Sequence, residues 1–219
     1  MKFVSFRNVS IAAGALLLVN SAPLAQAAAA DGETGTAAVA APAVVAPALP
    51  AAAPLPDPVA AEAQSLKPGG FVWHPERAQA GEVEIVVSVP LQRGYIYRGD
   101  TLIGVTTVST GRPGHRTPLG RFAIMEKHRQ HYSNKYNNAP MPFMQRLTND
   151  GIALHAGVIP GRPASHGCVR LPLAFAEKLF AVTRVGGDVH IVDGALGAEQ
   201  ALALVRRDPA PGIALASAN

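Results

Sequence analysis

Residues 28–66 are almost entirely Ala, Pro and Val, without an aromatic and with few charges. No other stretch restricts the chain more. Such sequence favours extended, semi-rigid backbone and lacks the large side chains a core is built from. We read it as a disordered spacer reaching to residue 68, which confines the folded part to residues 69–195, with a short helix and flexible tail over 196–219. Roughly 125 residues is an ordinary single-domain size that buries a core without staples. The spacer also inflates the apolar fraction, so the overall 48% overstates the core.

The N-terminus has the form of an export signal, over residues 1–27. Lys2 and Arg7 precede an apolar run over residues 9–19, and Ala25-Gln26-Ala27 offers a small-x-small cleavage site. The run is shorter than the about 20 apolar residues a membrane helix needs, so the expectation is cleavage and export to the periplasm or cell envelope, with no stable membrane insertion afterwards. The alternative is an uncleaved N-terminal anchor. The formal charge of +4 falls to +2 once Lys2 and Arg7 leave, too little to argue for nucleic acid. The chain has one cysteine, Cys168, which cannot form an internal disulfide. A lone thiol in an oxidising compartment is either buried and inert or kept for its chemistry.

The first half of the folded part has a β signature. Residues 83–89, 94–98, 101–109 and 121–127 are short runs rich in β-branched and aromatic residues, and Arg98-Gly99-Asp100 reads as a hairpin turn. Residues 152–155 and 188–192 add two strands. One helix is expected after Pro172, with Leu173, Ala176, Leu179, Phe180 and Thr183 on one face and Gly186-Gly187 ending it. A second, weaker helix is expected over 197–207. The fold class is therefore mainly β, a sandwich or partial barrel with one or two packed helices. Residues 132–146 follow no period; they are either a substrate-facing loop or lid, or a loop packed by its Met and Phe.

Chemistry concentrates around Cys168. A thiol becomes a useful nucleophile when a base or cation favours its thiolate. His155 and His166 are the candidate helpers, and Gly167 permits a backbone conformation that aims loop amides at a substrate carbonyl, as an oxyanion hole requires. A helix starting near Pro172 would add its N-terminal dipole in favour of the thiolate. Zinc is the competing chemistry, because His155, His166 and Cys168 are acceptable ligands. The His-x-Cys spacing lacks the usual zinc-site forms, and no acidic residue stands nearby as a base, so we assign no metal and no cofactor. His115, His128, His131 and His190 receive no role.

The segment ALHAGVIPGRPASHGCVRLP, residues 153–172, resembles the active-site motif of the L,D-transpeptidase catalytic-domain family, and VSTGRPGHRTPLGRF resembles the family's upstream strand-turn-strand. The resemblance covers roughly residues 82–192. It implies a β-rich sandwich with the cysteine at the mouth of a groove. It further implies that Cys168 is a nucleophile attacking the bond between the third residue of a peptidoglycan stem, usually meso-diaminopimelate, and D-Ala at position four. His155 matches the base, its ring oriented by the carbonyl of Ala156. Ser165 and His166 match site-shaping positions, Gly167 with Cys168 the oxyanion loop, and Arg170 a position supporting that loop or a substrate carboxylate. The implied partners are stem peptides and an amine acceptor, either a second stem or an envelope protein, with the enzyme a monomer and carbapenems acylating the cysteine. Two other readings stay open: an L,D-carboxypeptidase or hydrolase releasing a wall-bound protein through the same site, and a non-catalytic wall-binding module. The short span between His155 and Ser165 leaves acceptor choice undecided.

Overall fold

The computed structural model describes residues 56–207; the expected export signal, most of the expected spacer and the end of the expected tail lie outside them. The strands are β1 (Phe71–Trp73), β2 (Val83–Ser88), β3 (Arg93–Arg98), β4 (Thr101–Thr107), β5 (Gly120–Ala123), β6 (Glu126–His128), β7 (Met144–Arg146), β8 (Ala153–Ala156), β9 (Val169–Leu171) and β10 (Asp188–Val192). The helices are α1 (Pro58–Glu62), α2 (Leu173–Val182) and α3 (Ala198–Arg207). One sheet has the order β1-β4-β3-β2-β10-β5 and the other β6-β7-β8-β9.

Strand β2 is buried along its whole length, so both of its faces must be covered. The period-two alternation of a strand sorts its side chains. Ile85 and Val87 join Ile96, Ile103, Val189 and Ile191 of the large sheet, and pack against Leu154, Ala156, Val169 and Leu171 of the small one. This is the central core, a two-sheet sandwich closed by Phe175, Ala176 and Leu179 of α2. Val86, on the other face, joins Val72, Tyr95, Tyr97, Leu102 and Val105 in a second core, covered by Val59 and Ala63 from the N-terminal side and Ala201 and Val205 of α3.

That second core corrects the domain boundary. Residues 57–66, which composition assigns to the spacer, form α1 and a following 3-10 turn, with Val59 2% exposed. Asp57 caps the helix by accepting from Val59 N–H at 2.8 Å, and Pro58 stands in its first turn. Arg77 clamps the same carboxylate at 2.9 Å, tying α1 to the domain. Small side chains cannot found a core, but they complete one that Tyr95 and Tyr97 have already built.

Other differences follow from tertiary packing. The run expected as one strand over 121–127 is two strands in different sheets, because the buried Ile124 between them turns into the central core. Pro172 is the N-cap of α2 rather than its first residue, and the buried stripe is Phe175, Ala176 and Leu179. Leu173 is 61% exposed, and the helix ends at Val182, before the glycine pair. The short strands β1, β7 and β9 have too few residues to show a period.

The cover over the second core is testable. Val59→Ala removes about two buried methyl equivalents and should cost roughly 2 kcal/mol in urea unfolding. A chain begun at Leu66 should lose more than that single substitution, since Val72, Leu102 and Val105 would be uncovered; equal stability of the two chains would return residues 57–65 to the spacer.

Candidate active site

The small sheet decides which side chains meet. Strands β8 and β9 run parallel in the register Leu154↔Val169, His155↔Arg170 and Ala156↔Leu171. Leu154, Ala156, Val169 and Leu171 point into the central core. By alternation His155 and Arg170 point to the opposite face, together with Ala153 and Cys168 at the strand ends. The neighbouring β7 contributes Met144, which packs with Met141, Ala153 and Cys168 in a small cluster beneath the thiol. His155 and Cys168, thirteen positions apart in sequence, thus stand on one face of adjacent strands and line one cavity of about 900 Å³, with His166 and Arg170.

The loop before Cys168 is held by one hydroxyl. Ser165 Oγ donates to the Cys168 carbonyl at 2.5 Å and accepts from Gly167 N–H at 3.1 Å. Gly167 has φ +118°, and a Cβ there would lie 2.6 Å from the Ile152 side chain, so only glycine fits. The Gly167 amide is therefore turned toward Ser165. The loop is tied to the segment after β4 through Ser165 N–H to Thr110 O (3.0 Å) and Arg112 N–H to Ser165 O (3.1 Å).

Burial sets the protonation states. His155 is 8% exposed, and burial first of all lowers its pKa to about 4, helped by the nearby charge of Arg170. Its Nδ1 donates to the Ala156 carbonyl at 2.8 Å, which leaves the Nε2 lone pair free. Burial likewise pushes the Cys168 thiol up, against the smaller opposing effects of the Ala153 N–H and Arg170. The thiol contacts the Gly151 carbonyl at 3.7 Å. The resting pair is thus a neutral thiol and a neutral imidazole. The helix dipole does not reverse this: β9 separates Cys168 from α2, and dipole effects fade within the first turn.

His166 does not join the pair. Its Nε2 accepts from Arg112 Nη2 at 2.9 Å, and its ring packs between Tyr136 (4.4 Å) and His115 (4.8 Å). Arg170 lies over Gly157 and lines the cavity. Residues 132–146 are packed and also line the cavity. Met141 and Met144 are buried beneath, while Ser133, Lys135 and Tyr136 form a wall of the cavity. Sequence reasoning assigned no role to Arg112 or Tyr136, although Arg112 lies in the family-like stretch VSTGRPGHRTPLGRF and Tyr136 in the irregular 132–146 segment. Among the described residues, no three His, Cys, Asp or Glu side chains gather as a metal-binding group.

The family model described as the L,D-transpeptidase catalytic domain (YkuD) matches residues 82–191. Among solved structures, an L,D-transpeptidase from Stackebrandtia nassauensis is 27% identical, with 54% of this chain and 60% of that one covered and a TM-score of 0.47. L,D-transpeptidase 3 from Mycobacterium tuberculosis, in complex with a faropenem-derived adduct, is 21% identical over 50% and 59%, with a TM-score of 0.46. An L,D-transpeptidase from Xylanimonas cellulosilytica is 22% identical over 52% and 62%, with a TM-score of 0.47. The chain thus spans about three fifths of the length of these structures. No curated protein matches it.

Ser165 gives the sharpest local test. Ser165→Ala strands the Gly167 N–H and a Cys168 carbonyl acceptor, a loss of about 1–3 kcal/mol for a buried unsatisfied group. The expected result is a thermal midpoint lower by at least a few degrees; an unchanged midpoint would show that the loop keeps its shape without the hydroxyl.

Proposed function

This chain belongs to the L,D-transpeptidase catalytic domain family, and from that premise we propose that it is a cysteine acyltransferase acting on peptidoglycan stem peptides in the cell envelope. The observation that carries the reading is the shared face of β8 and β9, where His155 with a free Nε2 and Cys168 line the same cavity.

The neutral pair sets the order of events. As Cys168 Sγ attacks the carbonyl of the third stem residue, its proton passes to His155 Nε2, and the imidazolium is stabilised through Nδ1–H and the Ala156 carbonyl. Because the Gly167 amide is engaged by Ser165, the Cys168 amide is the loop donor left for the developing oxyanion. Collapse of the tetrahedral species breaks the amide bond, and His155 returns the proton to the departing D-Ala amine. The acceptor amine then gives its proton to His155, attacks the thioester and releases Cys168. Water in place of the amine yields the carboxypeptidase outcome, which the same side chains permit. The N-terminal signal and spacer agree with an enzyme delivered to the wall. No helix among the described residues is long and apolar enough to cross a membrane.

Cells producing the wild-type chain should accumulate third-to-third cross-links by muropeptide mass spectrometry, and cells producing Cys168→Ala should not. Tripeptide stems without new cross-links would instead identify the carboxypeptidase. A carbapenem should add its mass to Cys168 and leave Cys168→Ala unmodified. The base must be neutral to accept the proton, so with its pKa held at about 4 the acid limb of kcat/KM should lie near pH 4 rather than near the ordinary histidine value of 6.5. His155→Gln should lower kcat by about a thousandfold or more and remove that limb; a limb at 6.5 in the wild type would assign the base elsewhere.

A further inference from the structure

The cations around the cavity differ in how their charge is spent. Arg146 is paired with Glu126 at 2.6 Å, and Lys135 donates to the Asp150 carbonyl at 2.6 Å. The arginines that pair with carboxylates among the described residues are Arg77, Arg121, Arg146, Arg184 and Arg206. Arg112 is not one of them. It is exposed, and its side chain is held at 2.9 Å by a histidine nitrogen, His166 Nε2.

That contact has chemical consequences. A neutral imidazole takes one N–H from the guanidinium and leaves both its charge and its other donors uncompensated. Because Nε2 accepts, the ring proton of His166 sits on Nδ1 and is a further donor. The ring is fixed between Tyr136 and His115, and desolvation first, then the charges of Arg112 and Arg170, lowers its pKa and favours the neutral form. His166 and Arg170 line the cavity beside Cys168, and Arg112, which does not itself line it, is joined to that wall through His166.

The backbone makes this arrangement permanent. Arg112 N–H donates to the Ser165 carbonyl, and His115 N–H donates back to Arg112 O at 2.9 Å. A Cβ on Gly111 would collide with the His115 carbonyl, so the tight turn that aims Arg112 requires glycine there. An arginine oriented by a base instead of an acid, at the rim of a cavity, is suited to an anion that arrives and leaves.

We propose that Arg112, positioned by His166 and working beside Arg170, binds a carboxylate of the donor stem peptide. This rests on the acyltransferase reading above. Stem peptides offer that group in two places, the free C-terminus of the leaving residue and the carboxylates within the stem. Both present the planar oxygen pair that a guanidinium matches. Neutralising either one by amidation should weaken the donor only where Arg112 reads it.

The test compares wild type, Arg112→Gln and Arg112→Lys on three tetrapeptide donors: the free acid, its C-terminal amide, and a stem with its internal carboxylates amidated. Iodoacetamide serves as an uncharged probe of Cys168. Arg112→Gln should lower kcat/KM for the free acid about ten- to a hundredfold, mainly through KM, while alkylation stays within about twofold, the size of a surface substitution's effect. One amidated donor should then be used equally by wild type and Arg112→Gln, and its identity names the carboxylate that is read. Arg112→Lys should recover part of the loss. Equal slowing of all three donors, with or without slower alkylation, would make Arg112 merely structural and overturn the proposal, as would no slowing of any. A wild type that is alkylated but turns over no donor sinks the acyltransferase reading and this subsite with it. Donors used alike by wild type and variant sink the subsite alone.

Discussion

The parallel pairing of β8 with β9 is the constraint on which the rest of the molecule depends. With Leu154 opposite Val169, every second side chain of both strands enters the central core, and the alternate ones are delivered to the cavity. A slip of one residue would turn His155 and Arg170 into the apolar core and Leu154 and Leu171 toward the cavity, reversing core and site together. The register is therefore held by hydrophobic burial, and the geometry of the cavity wall inherits its precision from the packing behind it. The large sheet and α2 serve this arrangement by supplying the far wall of that core.

Burial also sets the protonation of the two groups. The pocket that holds His155 depresses its basicity, and the same desolvation raises the thiol. Neither group carries its charge at rest. The Ala156 carbonyl on Nδ1 chooses the tautomer and leaves Nε2 as the free nitrogen. Ser165 performs the matching task on the other side, spending the Gly167 amide on loop shape. Arg112 and Arg170 lie outside that buried pair, so their charge escapes the full cost of desolvation.

Legibility followed the range of each interaction. The long strands β2, β3, β4 and β10 were readable because a run of β-branched and aromatic residues between turn signals is a local signal. Three-residue strands such as β7 and β9 carry no such signal and exist because their neighbours pair with them. The face of α2 was misplaced from Phe175 to Leu173, since the rotation of a helix is set by the strand that feeds it. The spacer boundary failed for a related reason. Asp57-Pro58 is a readable helix start, but whether Ala63 and Val59 bury depends on an apolar face made by residues far along the chain.

By itself the sequence determined the kinds of groups available: a lone thiol, a histidine at the end of a strand, a glycine where only glycine can turn, and a Ser-His-Gly-Cys order that carries its family resemblance. These are properties of residue type and short spacing, and short spacing survives any fold. Only the tertiary structure decided which group each one meets. His155 faces Cys168 while the nearer His166 turns to Arg112, the Gly167 amide is consumed, and both members of the pair are neutral. Those outcomes depend on strand register and burial, which are sums over residues distant in sequence, and no local pattern encodes such sums.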